Sequence, residues 1–211
     1  MIDSALILLR EELNEYIRSI PGNTDPTYVV LGNVATLDND GSDELRSTVV
    51  ISLVNIEEES TLKNGKTFHK MPNGTVRYEN SPIFLNLYLL FCANFPDNYT
   101  NALIRLSQII RFFQGKQTFN MRNTVSPAIL AALNDPANSD KDALAGLELY
   151  LDLYTMTFEQ INHLWGSLGG KQMPFVMYKG RLVAIREPKY RAEAPIIEEI
   201  GIDNRSTTDN P

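Results

Sequence analysis

Residues Val49 to Asn64, VVISLVNIEEESTLKN, decide how this chain is read. Val49, Val50, Ile51, Val54 and Ile56 are β-branched, and only Ser52 and Asn55 interrupt them with polar groups. Such a run predicts a strand buried on both faces. It ends in Glu57, Glu58 and Glu59, and Lys63-Asn64-Gly65 then turns the chain. The strand therefore leaves the core through an acidic exit, and what those glutamates do is the main functional question.

The second strong run is Ile83 to Phe95, IFLNLYLLFCANF, apolar on both faces and rich in aromatics. It reads as a second central strand, with a helix as the alternative. Around these two runs the rest of the chain supplies cover. Ile2, Ala5, Leu6, Leu9, Leu13, Ile17 and Ile20 recur at helical spacing, with Arg10, Glu11, Glu12 and Glu15 on the wet face. Tyr28 to Leu31 is a short β-type run. From Asp97, a helix carries Ala102, Leu103, Leu106, Ile109, Ile110 and Phe113 inward and closes at Gly115. Ser126-Pro127 opens a short helix through Leu133. Leu147 to Leu153 alternates, leucines to one side and Glu148, Tyr150 and Asp152 to the other. Thr157-Phe158-Glu159-Gln160 is a capping box, with Met156 and Ile161 placed as a hydrophobic staple. That helix buries Ile161, Leu164, Trp165 and Leu168 and stops at Gly169-Gly170. Phe175 to Ile185 is one long strand or a strand pair, Gly180 being a bulge or a turn.

Between the two central runs, Asn64-Gly65 and Asn73-Gly74 are hairpin-turn dipeptides. They predict an exposed hairpin of Thr67 to Met71 and Thr75 to Tyr78. The fold class is α/β (α+β), a mixed β-sheet flanked by helices. The expected division is a domain over 1–186 and a polar, extended C-terminal arm over 187–211, whose apolar positions are Ile196, Ile197, Ile200 and Ile202.

Composition excludes several classes of function. The chain has 211 residues, ordinary hydrophobic content of 43% and one cysteine, Cys92, so one domain without an intramolecular disulfide is expected. Cys92 sits in an apolar run and reads as a small buried hydrophobe, consistent with a reducing, cytoplasmic-type compartment. The opening MIDSALILLREEL has no basic n-region or cleavage site, and no apolar run reaches the ~18 residues that span a bilayer. Neither a signal peptide nor membrane insertion is expected. A net charge of −7 and a pI near 4.9 argue against nucleic acid as a partner.

Catalytic patterns are missing too. The two histidines, His69 and His163, stand apart, and no H-E-x-x-H, Cys/His pair or G-x-S-x-G is present. Asp38-x-Asp40-Gly41-x-Asp43 resembles a calcium loop but has Val49 where the bidentate glutamate belongs, so a solvated turn is expected. Gly166 to Lys171 resembles a phosphate loop but ends a helix instead of starting one. Arg105, Arg111 and Lys116 read as wet-face charges. A metal site at Glu57 and Glu59, the two glutamates that share a strand face, is the enzymatic alternative: a metal-dependent hydrolase. A small adaptor with a single partner is another alternative. No catalytic, cofactor or metal residues are assigned.

Three blocks carry a resemblance. They are LVNIEEExxLKN (Leu53 to Asn64), SPIFLNLYLLF (Ser81 to Phe91) and LELYLDLY…FEQINHLWGSLGGKQMPFVMYK (Leu147 to Lys179). Together they resemble the N-terminal domain of tail-terminator, or cap, proteins of contractile injection systems. The resemblance implies a phage-tail-terminator-like subunit that is not an enzyme and uses no cofactor. Its partners would be itself, as a homo-hexameric ring, and the sheath and inner-tube proteins whose growth the ring ends. It would be cytoplasmic during assembly and then part of a phage-tail-like, toxin-delivering particle, released or membrane-anchored. Asn55, Glu57, Glu58, Glu59, Lys63 and Asn64 are the expected subunit interface.

One expectation concerns stability alone. With Trp165 on the inward stripe, Trp165→Ala should cost about 3–5 kcal/mol in a urea or thermal melt. An unchanged midpoint would put the indole on the surface.

Overall fold

The computed structural model describes residues 2–23, 28–37, 45–59, 68–70, 75–79, 83–124, 126–127, 129, 131, 146–185 and 190–195. At 68–70, 77–79, 182–185 and 190–195 it describes the backbone alone. Helix α1 spans Ile2–Ser19, and the short strand β1 spans Val29–Leu31. A 3-10 turn at Val34–Thr36 leads to β2, Thr48–Glu58. Strands β3 (Phe68–Lys70) and β4 (Thr75–Glu79) form the hairpin, and β5 is Ile83–Asn94. Helix α2 (Tyr99–Gly115), β6 (Thr118–Asn120), β7 (Glu148–Leu153) and α3 (Phe158–Ser167) follow. The chain then runs through β8, Phe175–Ile185, and β9, Tyr190–Pro195.

Six strands form one sheet in the order β1-β2-β5-β8-β7-β6, and β3-β4-β9 form a second. Among the described strands, only the β1–β2 pair is parallel. The two apolar runs of the sequence thus become neighbours, β2 against β5, and both alternatives at Ile83 to Phe95 and at Phe175 to Ile185 resolve to single long strands. Their continuous hydrophobicity follows from cover on both faces. Val49, Ile51, Leu87, Leu89 and Phe91 point to one core with α1 and α2, while Val50, Leu90 and Cys92 point to a second with Trp165 of α3. In the larger core Phe91, Phe112, Phe113, Phe119 and Tyr178 pack ring to ring, with centroids 4.5 to 5.8 Å apart.

Buried polar groups fix α1 and α2 in place. The Asn14 amide accepts the N–H groups of Tyr28 and Val29 and donates to the Val29 carbonyl, each at 2.9 Å. It thereby joins α1 to the edge strand β1. Glu12, expected in water, is only 2% exposed. Its carboxylate accepts from Lys116 Nζ at 2.8 Å and from the Thr124 hydroxyl. Arg105 and Lys116 are likewise not wet-face charges. The Arg105 guanidinium lies 4.4 Å from the Tyr28 ring centroid and donates to Asn23 and Gln108. Such partners are what a charge needs to lie inside a fold.

Two stripes are shifted from the sequence reading. In α2 the buried set is Ala102, Arg105, Leu106, Ile109, Phe112 and Phe113, which turns Leu103 and Ile110 outward. Its N-cap is Asn98, which accepts from the Asn101 N–H, and Asp97 precedes it. In β7, Leu149 and Leu151 are buried while Leu153 ends the strand exposed. The α3 capping box forms as read, between Thr157 and Gln160. Pro127, Ile129 and Ala131 are helical; the rest of that short helix and the calcium-like turn lie outside the described residues. In the arm expected after 186, β9 pairs antiparallel with β4.

Gly180 marks the bulge. Register shifts there, Leu85 facing Val183 and Leu87 facing Gly180. A Cβ on Gly180 would meet Leu149 Cδ1 at 2.9 Å, inside a filled core. Gly180→Ala should therefore destabilise by about 1–3 kcal/mol through overpacking, measured by urea unfolding. No loss would mean that Leu149 repacks freely.

Candidate functional site

Beyond Ile51, β2 loses β1 as a neighbour, because β1 pairs only with Val49 to Ile51. On the other side, β7 pairs β8 only through Arg181. Among the described residues, the far end of the sheet is therefore β2, β5 and β8 alone. Helix α3 covers Val50, Leu90, Cys92 and Phe175 on one face, and further along that face the side chains turn polar. Asn55 lies opposite Tyr88, Tyr88 opposite Lys179, and Lys179 opposite Asp152. Directly opposed residues share a face, so these four make a row across four strands.

The row is tied together. Glu57 accepts from the Tyr88 hydroxyl at 2.7 Å and from Asn55 Nδ2 at 3.3 Å. Glu59 accepts from Asn86 Nδ2 at 3.0 Å. Lys179 Nζ stands 5.5 Å from the Tyr88 ring centroid, and Tyr154 meets that ring edge-on at 5.1 Å. Arg181 pairs with Asp152 and lies 5.7 Å from the Tyr150 ring centroid. Asn86 is 3% exposed, and among the described residues its Oδ1 has no hydrogen-bond partner.

Of the expected interface residues, Asn55, Glu57 and Glu59 are brought together on this face. Glu58 faces the other side, where Leu85 is its cross-strand neighbour and Ile56 and Ile83 are exposed. Lys63 and Asn64 lie outside the described residues. Sequence reasoning missed Asn86, Tyr88, Lys179, Arg181, Tyr150 and Asp152. The signal for the last two was present, as the polar side of the β7 alternation, but only the strand order shows that they join the glutamates.

Among the described residues no group of three His, Cys, Asp or Glu is placed to hold a metal ion. His163 is exposed on α3, 3.9 Å from Glu159. The phosphate-loop lookalike is a helix end: Gly169 and Gly170 have φ of +102° and +81°, and the Gly170 N–H donates to the Trp165 carbonyl at 2.7 Å. Burial pushes the Cys92 thiol up to about 12, leaving it inert at neutral pH. A hollow of about 660 Å³ opens at the opposite end, lined by Val34, Leu37, Arg46, Phe95, Tyr99 and Met173 among others, without a catalytic grouping. No described helix is long and apolar enough to cross a membrane.

The fold, a mixed sheet with helices on both faces, is similar to that of two solved structures. The structure of the PVC sheath/tube terminator of an extracellular contractile injection system, in its extended state, matches with a TM-score of 0.60 and 15% identity. That match covers all of this chain and 65% of the other. The anti-feeding prophage tube-terminating cap matches with a TM-score of 0.56 and 13% identity over 92% of this chain and 59% of that one. The chain thus spans less than two thirds of the length of either protein. The chain belongs to the Pvc16 N-terminal domain family, whose model matches residues 7–199. A comparison with curated proteins gives no significant match.

Burial, with Glu57 beside the hydroxyl, pushes the Tyr88 phenol up to about 12, and burial alone raises Tyr178 to about 12. A folded-state value above the unfolded ~10 stabilises the fold fully below pH ~10, and this is lost as pH rises towards 12. Tyr88→Phe should therefore flatten the alkaline loss of stability between pH ~10 and 12. An unaltered alkaline limb would contradict the raised Tyr88 phenol.

Proposed function

We propose that this protein is a structural cap of a contractile injection system. It forms a hexameric ring on the distal end of the inner tube and sheath and ends their polymerisation. Family membership over residues 7–199 carries this reading. The likeness of fold to a sheath/tube terminator and to a tube-terminating cap supports it. Its partners are further copies of itself and the tube and sheath proteins, and it works without catalysis, during assembly in the cytoplasm and afterwards within the particle.

In this reading the body over 1–186 builds the ring and the arm over 187–211 reaches a neighbour or the sheath. Asn55, Glu57 and Glu59, joined by Tyr88, Lys179 and Arg181, contact the adjoining subunit. A polar, mixed-charge surface of this kind sets register and partner choice more than raw affinity. The hydrolase alternative has nothing comparable behind it, because Glu57 and Glu59 are occupied as hydrogen-bond acceptors for Tyr88, Asn55 and Asn86.

The test is particle length. Particles assembled without this protein should show tubes and sheaths of uncontrolled length and bare distal ends in negative-stain micrographs, and the purified protein should restore a six-fold ring and a narrow length distribution. Particles of normal length and normal distal ends in its absence would refute the proposal.

A further inference from the structure

Arg105 brings a full charge inside the fold with no carboxylate beside it. The residue is 9% exposed, and its contacts are neutral. Nη1 donates to Asn23 Oδ1 and to Gln108 Oε1, each at 3.0 Å, and the guanidinium stands 4.4 Å from the Tyr28 ring centroid. No ion pair among the described residues includes it. Nε is buried without an acceptor, and none of the described residues accepts from Nη2. A buried charge without a counter-charge is costly. The Nε–Nη2 edge left over is the fork whose two N–H groups match the two oxygens of a carboxylate.

The same side chain lines a cavity of about 240 Å³ together with Tyr28, Ser47, Asp97, Asn98 and Asn101. Ser47 precedes β2, so the cavity lies at the end of that strand away from Glu57 and Glu59. Asn98 and Asn101 stand at the first turn of α2, which brings the positive end of a 17-residue helix to the same place. Asp97 is the acidic group of the lining, and Arg46 pairs with it at 3.2 Å. Of Arg46, Asp97 and Arg105 one positive charge is therefore left over, in a chain whose net charge is −7. At ~30 Å³ for each water, the space holds about eight waters, less than the ~300–1,000 Å³ of ordinary ligand pockets.

We propose that this cavity binds a small, singly charged carboxylate, its oxygens on the Nε–Nη2 edge of Arg105 and the amides of Asn98 and Asn101 beside it. The volume suits a ligand of a few atoms, and the single surplus charge suits a monoanion better than a dianion. The site is separate from the surface at Glu57 and Glu59 and does not rest on the cap reading.

Thermal melts at pH 7 and constant ionic strength test it, with sodium acetate replacing sodium chloride. The unmodified protein is expected to gain about 2–4 °C more from acetate than Arg105→Gln or Asn101→Asp does. Arg105→Gln removes the fork. Asn101→Asp sets a built-in carboxylate one helical turn before Arg105, which fills the site and keeps the test decisive if Arg105→Gln fails to fold. An equal gain in the unmodified protein and in Asn101→Asp would be a general salt effect and would overturn the site. Amide exchange over 98–105 separates a free ligand from a carboxylate offered by a neighbouring protein. In assembled particles acetate is expected to slow this exchange as it does in the free protein. Exchange already slow there without acetate would overturn the assignment to a free ligand.

Discussion

Strand β5 hydrogen-bonds to β2 on one side and to β8 on the other over nearly its whole length. The helices and the other strands of the six-stranded sheet are positioned by that three-strand core. Leu87, Leu89, Phe91 and Ala93 need cover on one face and receive α1 and α2, while Leu90 and Cys92 need it on the other and receive α3. Because hydrophobic stabilisation follows the area removed from water, the helices gather over the apolar half of the sheet. The other half is left with residues that tolerate water, and these form the candidate contact surface.

The polar end is built, not merely left over. The row Asn55, Tyr88, Lys179 and Asp152 crosses four strands, and each member is held by a neighbour through a hydrogen bond, a ring contact or charge pairing. Glu57 and Glu59 therefore have defined positions, as the proposed contact with a neighbour requires. All three connections to the second sheet, 59–68, 79–83 and 185–190, leave from this end.

Much of the fold was legible because local patterns and burial agree. The two doubly apolar runs read as central strands, and the Thr157 capping box and the Gly169-Gly170 stop are fixed by chemistry within a few residues. What stayed hidden depends on partners distant in sequence. Glu12 looks like a solvent residue until Lys116, 104 positions away, is seen beside it. Arg105 looks exposed until Tyr28 packs beneath it. The acidic exit was visible as a candidate site, but its companions on β5, β7 and β8 were not, since single-strand alternation does not reveal strand order. A bulge at Leu53/Asn55 also resets which side the residues after Val54 face.

In the proposed cap, the three-stranded end of the sheet, and not the helix-covered half, meets the rest of the particle. Amide hydrogen exchange of the protein alone and in the assembled particle tests it most directly. Strong new protection is expected in peptides covering 52–59 and 179–185, with α1 and the inner face of α2 unchanged. Protection confined to the exposed side of α2, around Leu103 and Ile110, with residues 52–59 exchanging as fast as in the free protein, would contradict it.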